Sequence, residues 1–104
     1  MTEVRYNRRD TTISIKGHAN SAPKGKDLVC AGASTLAFTL IAALQEGETR
    51  FRPVLSQHDG DLKIECSPTR ACEDECRAIM DTIMTGFEVL ADEYPDNVHT
   101  ERED

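Results

Sequence analysis

The chain has 104 residues, enough for one domain with a core of its own. It carries 12 basic and 19 acidic residues, a formal net charge of −7, and 38% of its residues are hydrophobic. That negative excess argues against binding nucleic acid or an anionic membrane through a general basic surface.

The opening MTEVRYNRRD has no apolar h-region, so no secretory signal is expected. Arg5, Arg8 and Arg9 read as solvated strand and turn residues. Glu3 to Arg8 and Thr11 to Lys16 read as two strands joined by a tight turn near Arg9-Asp10. In the second, Ile13 and Ile15 alternate with Ser14 and Lys16, the period of a half-buried strand. Gly17 ends it, and Ala19 to Lys26, with Pro23 and Gly25, reads as a loop. Asp27 is placed to cap a helix from about Leu28 to Gln45, which Gly47 is placed to stop.

The run Leu28 to Leu44 is uncharged for seventeen residues, the short limit for a membrane span. A buried helix fits it better, since Gly32, Ser34, Thr35 and Thr39 interrupt it. A helix apolar on nearly every side must be covered on more than one face, by a sheet and a second helix or by a partner subunit. With neither signal nor span, the location expected is cytoplasmic, no membrane is engaged, and the four cysteines are expected to be reduced.

Arg50 to Gln57 and Asp61 to Cys66 read as a second hairpin, turned by Asp59-Gly60. A last helix is expected after Ser67-Pro68-Thr69, with Glu73, Asp74 and Glu75 suiting its dipole. Its apolar stripe is Cys76, Ile79, Met80, Ile83, Phe87, Leu90 and Tyr94, and Pro95 ends it. The order is ββαββα, a small α+β domain over residues 1–96. It has an antiparallel sheet, a largely buried first helix and an amphipathic second. The polar tail 97–104 is expected to fray.

Chemistry concentrates at the start of the first helix. A cysteine in a first turn meets outward-pointing N–H groups and a dipole that favours the thiolate. His18, twelve residues before Cys30, leaves the end of a strand, and the loop between them is long enough to fold back. A histidine in reach would complete thiolate–imidazolium activation. The free N–H groups could hold the oxyanion of a tetrahedral intermediate. Alternatively, Cys30 is a small packed hydrophobe. Asp27 is either a plain cap or a supporting acid, and Ser34 by default bonds a backbone carbonyl.

Gly17-His18-Ala19, five residues, Gly25, Asp27-Leu28-Val29-Cys30-Ala31 and then Ser34 resemble the signature of the ribosomal-processing cysteine protease (Prp) family. The length and the ββαββα order resemble that family as well. The resemblance implies that Cys30 is the nucleophile and His18 the general base and then acid, with Asp27 and Ser34 supporting. Gly17, Ala19 and Gly25 belong to a loop that admits substrate. It further implies a homodimer that removes the N-terminal extension of ribosomal large-subunit protein twenty-seven, with no metal and no organic cofactor. The loop departs from some relatives in carrying Pro23, Lys24 and Lys26 and no aromatic residue. A non-catalytic ribosome-associated binding module is the alternative, followed by a thiol redox or metal-binding protein.

Cys66, Cys72, Cys76 and His58 could form a metal cluster, but Cys66 alternates with Leu62 and Ile64, and Cys72 and Cys76 lie on the core side of their helix. Packing is the reading adopted. His58 reads as an exposed turn residue, His99 as part of the tail, and Met80 and Met84 as core filler.

Overall fold

The computed structural model describes residues 1–17 and 26–103, with Lys26 and Asp27 described by their backbone alone. Strands β1 (Thr2–Asn7) and β2 (Thr12–Lys16) form an antiparallel hairpin. Its turn closes through the Thr11 N–H on the Arg8 carbonyl. Thr11 has a positive φ of 49°, costly for a β-branched residue. Its hydroxyl donates to the Cys66 carbonyl at 2.7 Å and its own carbonyl accepts from the Cys66 N–H at 3.0 Å, which holds it there.

Helix α1 (Lys26–Glu46) follows, then a short helix α2 (Glu48–Phe51), which takes up Arg50 and Phe51, the expected start of the next strand. The strand β3 is therefore shorter than expected, Pro53–His58, and pairs with β4 (Asp61–Cys66). Asp59 and Gly60 both have positive φ, 45° and 85°, as a two-residue hairpin turn with the twist of its strands requires. A 3₁₀ turn at Arg70–Cys72 leads into α3 (Glu73–Glu93), which so begins four residues after Thr69.

Two expectations need correction. The tail does not fray: Val98–Glu103 is a strand, β5, and it pairs parallel to β1. The sheet is consequently mixed and five-stranded, in the order β3-β4-β2-β1-β5. His99 lies on that strand, its ring 3.3 Å from Glu101. Nor is α1 largely buried: Val29, Ala33, Ala37, Leu40 and Leu44 form one buried stripe, while Leu28 and Phe38 are 67% and 66% exposed. The helices cover only one face of the sheet, so α1 keeps an outer face.

Val4, Tyr6, Ile13, Ile15, Ile64 and Cys66 point from the sheet into the core, where the α1 stripe and Cys76, Met80, Ile83, Met84 and Phe87 of α3 meet them. Met80 and Met84 are core residues, as expected. The helices pack closely because glycines face leucines. A Cβ on Gly32 would lie 3.2 Å from Leu90, and one on Gly86 only 2.5 Å from Leu36. Leu28–Glu46 is long and apolar enough to cross a membrane by length and composition. Here one side of it is held in the core and another against α3. Gly47 ends α1 without the left-handed backbone of a glycine C-cap, at φ −112°. Its lack of a side chain instead admits the Phe51 ring, which a Cβ would meet at 2.5 Å.

Candidate active site

Because α1 opens at Lys26, Asp27 stands inside its first turn rather than at its cap. Cys30 is the fifth residue, so it starts the second turn rather than lying in the first. The sulfur keeps its access to the helix start, because helical side chains lean back over the preceding turn. The N–H groups of that turn have no partner within the helix.

The helical period separates three sides of α1. Gly32 and Leu36 face α3, Val29 and Ala33 face the core, and Cys30 and Ser34 stand on the flank away from α3. Both are half-buried. Helix α3 runs along β5, and α1 lies beside it. The flank bearing Cys30 and Ser34 therefore turns toward the β3 edge of the sheet. There Leu55, core-facing by its register with Ile64, remains 40% exposed, and Leu62 is half-buried. Leu55 and Leu62 thus leave apolar surface uncovered at the β3 edge of the sheet.

Gly17 closes β2 at φ 75°. Its N–H donates to a carboxylate oxygen of Asp61 at 3.1 Å, and its carbonyl accepts a long hydrogen bond, 3.4 Å, from the Thr2 hydroxyl. Asp61 shares a shallow cleft of about 140 Å³ with Ser14, Lys16, Ser56, His58 and Lys63. Neither Asp61 nor Thr2 is singled out by sequence, since both contacts join residues far apart in the chain. His18, Ala19 and Gly25 lie outside the described residues, as does the Asp27 side chain. The structure thus brings Cys30 and Ser34 to one flank and anchors the residue just before His18.

The other cysteines are elsewhere. Cys66 and Cys76 are core residues, at 5% and 0% exposure, and Cys72 packs against the same core. The hydrogen bond with Cys76, together with burial, pushes the Cys66 thiol up, so it stays protonated. Among the described residues, no group of three or more His, Cys, Asp and Glu side chains is arranged to hold a metal ion.

Comparison with known proteins decides the family. The family model described as cysteine protease Prp matches residues 1–99. The chain belongs to the Prp family. Within that family, the ribosomal processing cysteine protease Prp of Staphylococcus aureus, from strains Mu50 and NCTC 8325, is 30% identical over 88 residues. Those residues are 85% of this chain and 82% of the relative. The crystal structure of an essential ribosomal processing protease Prp from S. aureus, in complex with a substrate peptide, has a TM-score of 0.80 at 28% identity. The match covers 99% of this chain and 100% of that one. A second Prp structure, with a covalently linked product peptide, gives the same values. A structure of SMU.848 from Streptococcus mutans, with a TM-score of 0.76 at 24% identity, covers 98% of this chain and 95% of its own and shares the fold. The α+β fold is that of the Prp structures, and the chain, as a Prp family member, is a cysteine protease.

Proposed function

We propose that this protease removes the N-terminal extension of ribosomal large-subunit protein twenty-seven through a Cys30–His18 dyad. The observation that carries the proposal is the place of Cys30. It is half-buried near the start of a 21-residue helix, on the flank away from α3. Of the four cysteines, Cys66 and Cys76 are sealed in the core and Cys72 packs against it. The covalently linked product peptide in the related structure supports covalent catalysis, and the names of the relatives support a ribosomal substrate.

In this mechanism His18 takes the Cys30 proton and the sulfur attacks the scissile carbonyl carbon. The tetrahedral oxyanion draws on the N–H groups of the first turn of α1, which have no partner within the helix. Collapse breaks the C–N bond as His18 protonates the leaving amine, giving a thioester and the released fragment. Water, activated by His18, then attacks the thioester and frees the thiol. Asp27 supports from the first turn, where a negative charge also suits the dipole. Ser34, one turn after Cys30, borders the same flank, and Gly17, Ala19 and Gly25 belong to the substrate loop.

The proposal includes a cytoplasmic homodimer. The open face of α1 carrying Leu28 and Phe38 supports pairing with a second copy, since isologous dimers are the commonest assembly.

The test is incubation with the extended ribosomal protein. Wild type clips it at one site, Cys30→Ala does not, and His18→Ala loses several orders of magnitude because dyad members act as a unit. Asp27→Asn costs less, Cys72→Ala cuts normally, and EDTA changes nothing. A wild type that leaves the extended protein whole removes this substrate. Binding without cleavage, with or without Cys30, would make the chain a docking module.

A further inference from the structure

We propose that Asp61 is a positioning residue for the dyad: with Thr2 it clamps Gly17, and so fixes the point from which the chain delivers His18. The inference rests on the reading of His18 as the general base. Gly17 is held on both sides of its Cα. Asp61, on the β3–β4 hairpin, accepts its N–H at 3.1 Å, and Thr2, on β1, donates to its carbonyl at 3.4 Å. Both anchors are themselves fixed. Asp61 pairs with His58 directly after the Asp59-Gly60 turn. Thr2 is 5% exposed, and its N–H donates to the Asn97 carbonyl at 2.8 Å.

Space fixes Gly17 as firmly as the hydrogen bonds do. Its φ is 75°, and a Cβ would collide with the Met1 carbonyl oxygen, so no side chain fits against the start of β1. The carbonyl that Thr2 holds belongs to the peptide unit joining Gly17 to His18. That unit is planar, so holding its oxygen fixes the plane in which the chain leaves Gly17. A misplacement of about 1 Å at a catalytic group costs on the order of 10²-fold in rate. Asp61 acts by accepting a hydrogen bond, which an asparagine oxygen also does.

Turnover of the extended ribosomal protein and the pH profile of Cys30 alkylation by iodoacetamide are measured for Asp61→Ala, Asp61→Asn, His18→Ala and the double variant Asp61→Ala/His18→Ala. Asp61→Ala lowers kcat roughly 10- to 100-fold with KM within about threefold, while Asp61→Asn stays within about threefold of wild type. The alkylation profile of Asp61→Ala moves toward that of His18→Ala, and the double variant matches His18→Ala, since the effect passes through the histidine. Wild-type turnover by Asp61→Ala overturns the proposal. So does an asparagine variant as impaired as the alanine one, or a double variant shifted beyond His18→Ala. If Asp61→Ala does not fold, Thr2→Val removes the other half of the clamp at constant shape. It is then expected to lower kcat several-fold, and wild-type turnover overturns the clamp. An inactive His18→Ala beside an intact Asp61→Ala removes only the clamp, whereas a fully active His18→Ala removes the dyad itself.

Discussion

The hydroxyl of Tyr6, on β1, donates to a carboxylate oxygen of Asp81, on α3, at 2.7 Å. The same carboxylate accepts from the Arg8 guanidinium at 3.2 Å. Burial, followed by the hydrogen bond to Asp81, pushes the Tyr6 phenol well above its ordinary value. Tyr6→Phe is expected to cost about 1–2 kcal/mol in urea unfolding, because Asp81 loses a charge-assisted bond but keeps Arg8. The pH dependence has a definite sign. The folded state holds the phenol proton more tightly than the unfolded one, so this stability is complete below about pH 10 and is lost as pH rises above it. Thermal melts of wild type should fall off steeply in that window, and those of Tyr6→Phe less steeply.

Gly47 and Gly86 should respond differently to alanine. At Gly47 the new Cβ meets the ring of Phe51, which is 1% exposed and has nowhere to go. At Gly86 it meets the terminal methyl of a partly buried Leu36, which can rotate. Alanine there also regains about 1 kcal/mol of helix propensity. Gly47→Ala should destabilise by about 2–3 kcal/mol. A larger loss at Gly86 in chemical denaturation would show that Leu36 is locked.

Arg102 forks onto Glu88 at 2.8 and 2.9 Å and fastens β5 to α3. The hydrogen bond from Arg102 holds the Glu88 carboxyl below the usual carboxylate range. Its contribution is therefore present above about pH 4.3 and lost as pH falls further. The pair is more than a third exposed, so Arg102→Ala should cost only about 0.5–1 kcal/mol at neutral pH, less at high salt. Removing residues 98–104 should cost several times more, because Val98 is buried and β1 loses a neighbour. Calorimetry on the two variants separates the ion pair from the strand.

Partial alkylation at neutral pH should mark Cys30 first and Cys72 more slowly, and should reach Cys66 and Cys76 only under denaturant. Mass-spectrometric mapping gives the order, and early labelling of Cys76, which is fully buried, would contradict the packing described.

Phe38→Glu places a charge on the open face of α1. Sedimentation at micromolar concentration should show a dimer for wild type and an 11.5 kDa monomer for the variant, with little change in melting temperature. A wild type that is monomeric throughout would leave that face without a role in assembly.

Much of this was legible where neighbours in sequence carry the signal. Ile13 and Ile15 against Ser14 and Lys16 show the face of β2, and Asp59-Gly60 states the turn between β3 and β4. Strand β5 was hidden because it is an edge strand whose core-side positions are Val98, Thr100 and Arg102. The last sets its guanidinium over the Tyr6 ring at 5.8 Å, where an apolar residue would have shown the alternation. At the site, the motif named Cys30 and its surroundings because it is local. The hold of Asp61 on Gly17 spans 44 positions, and no local pattern encodes it.

The parallel pairing of β1 with β5 also decides where the two ends of the chain emerge. Thr2 lies opposite Val98 and Asn7 opposite Glu103, so the two termini lie at opposite ends of this strand pair, about 20 Å apart at the rise of a strand. A sequence fused ahead of Met1 emerges beside Gly17, against the anchored end of the substrate loop, whereas one fused after Glu103 departs next to the Arg8 turn. An affinity handle or fluorescent reporter therefore belongs at the carboxyl end. A circular permutant joining the two ends needs a connector of at least about six extended residues to run the length of the sheet.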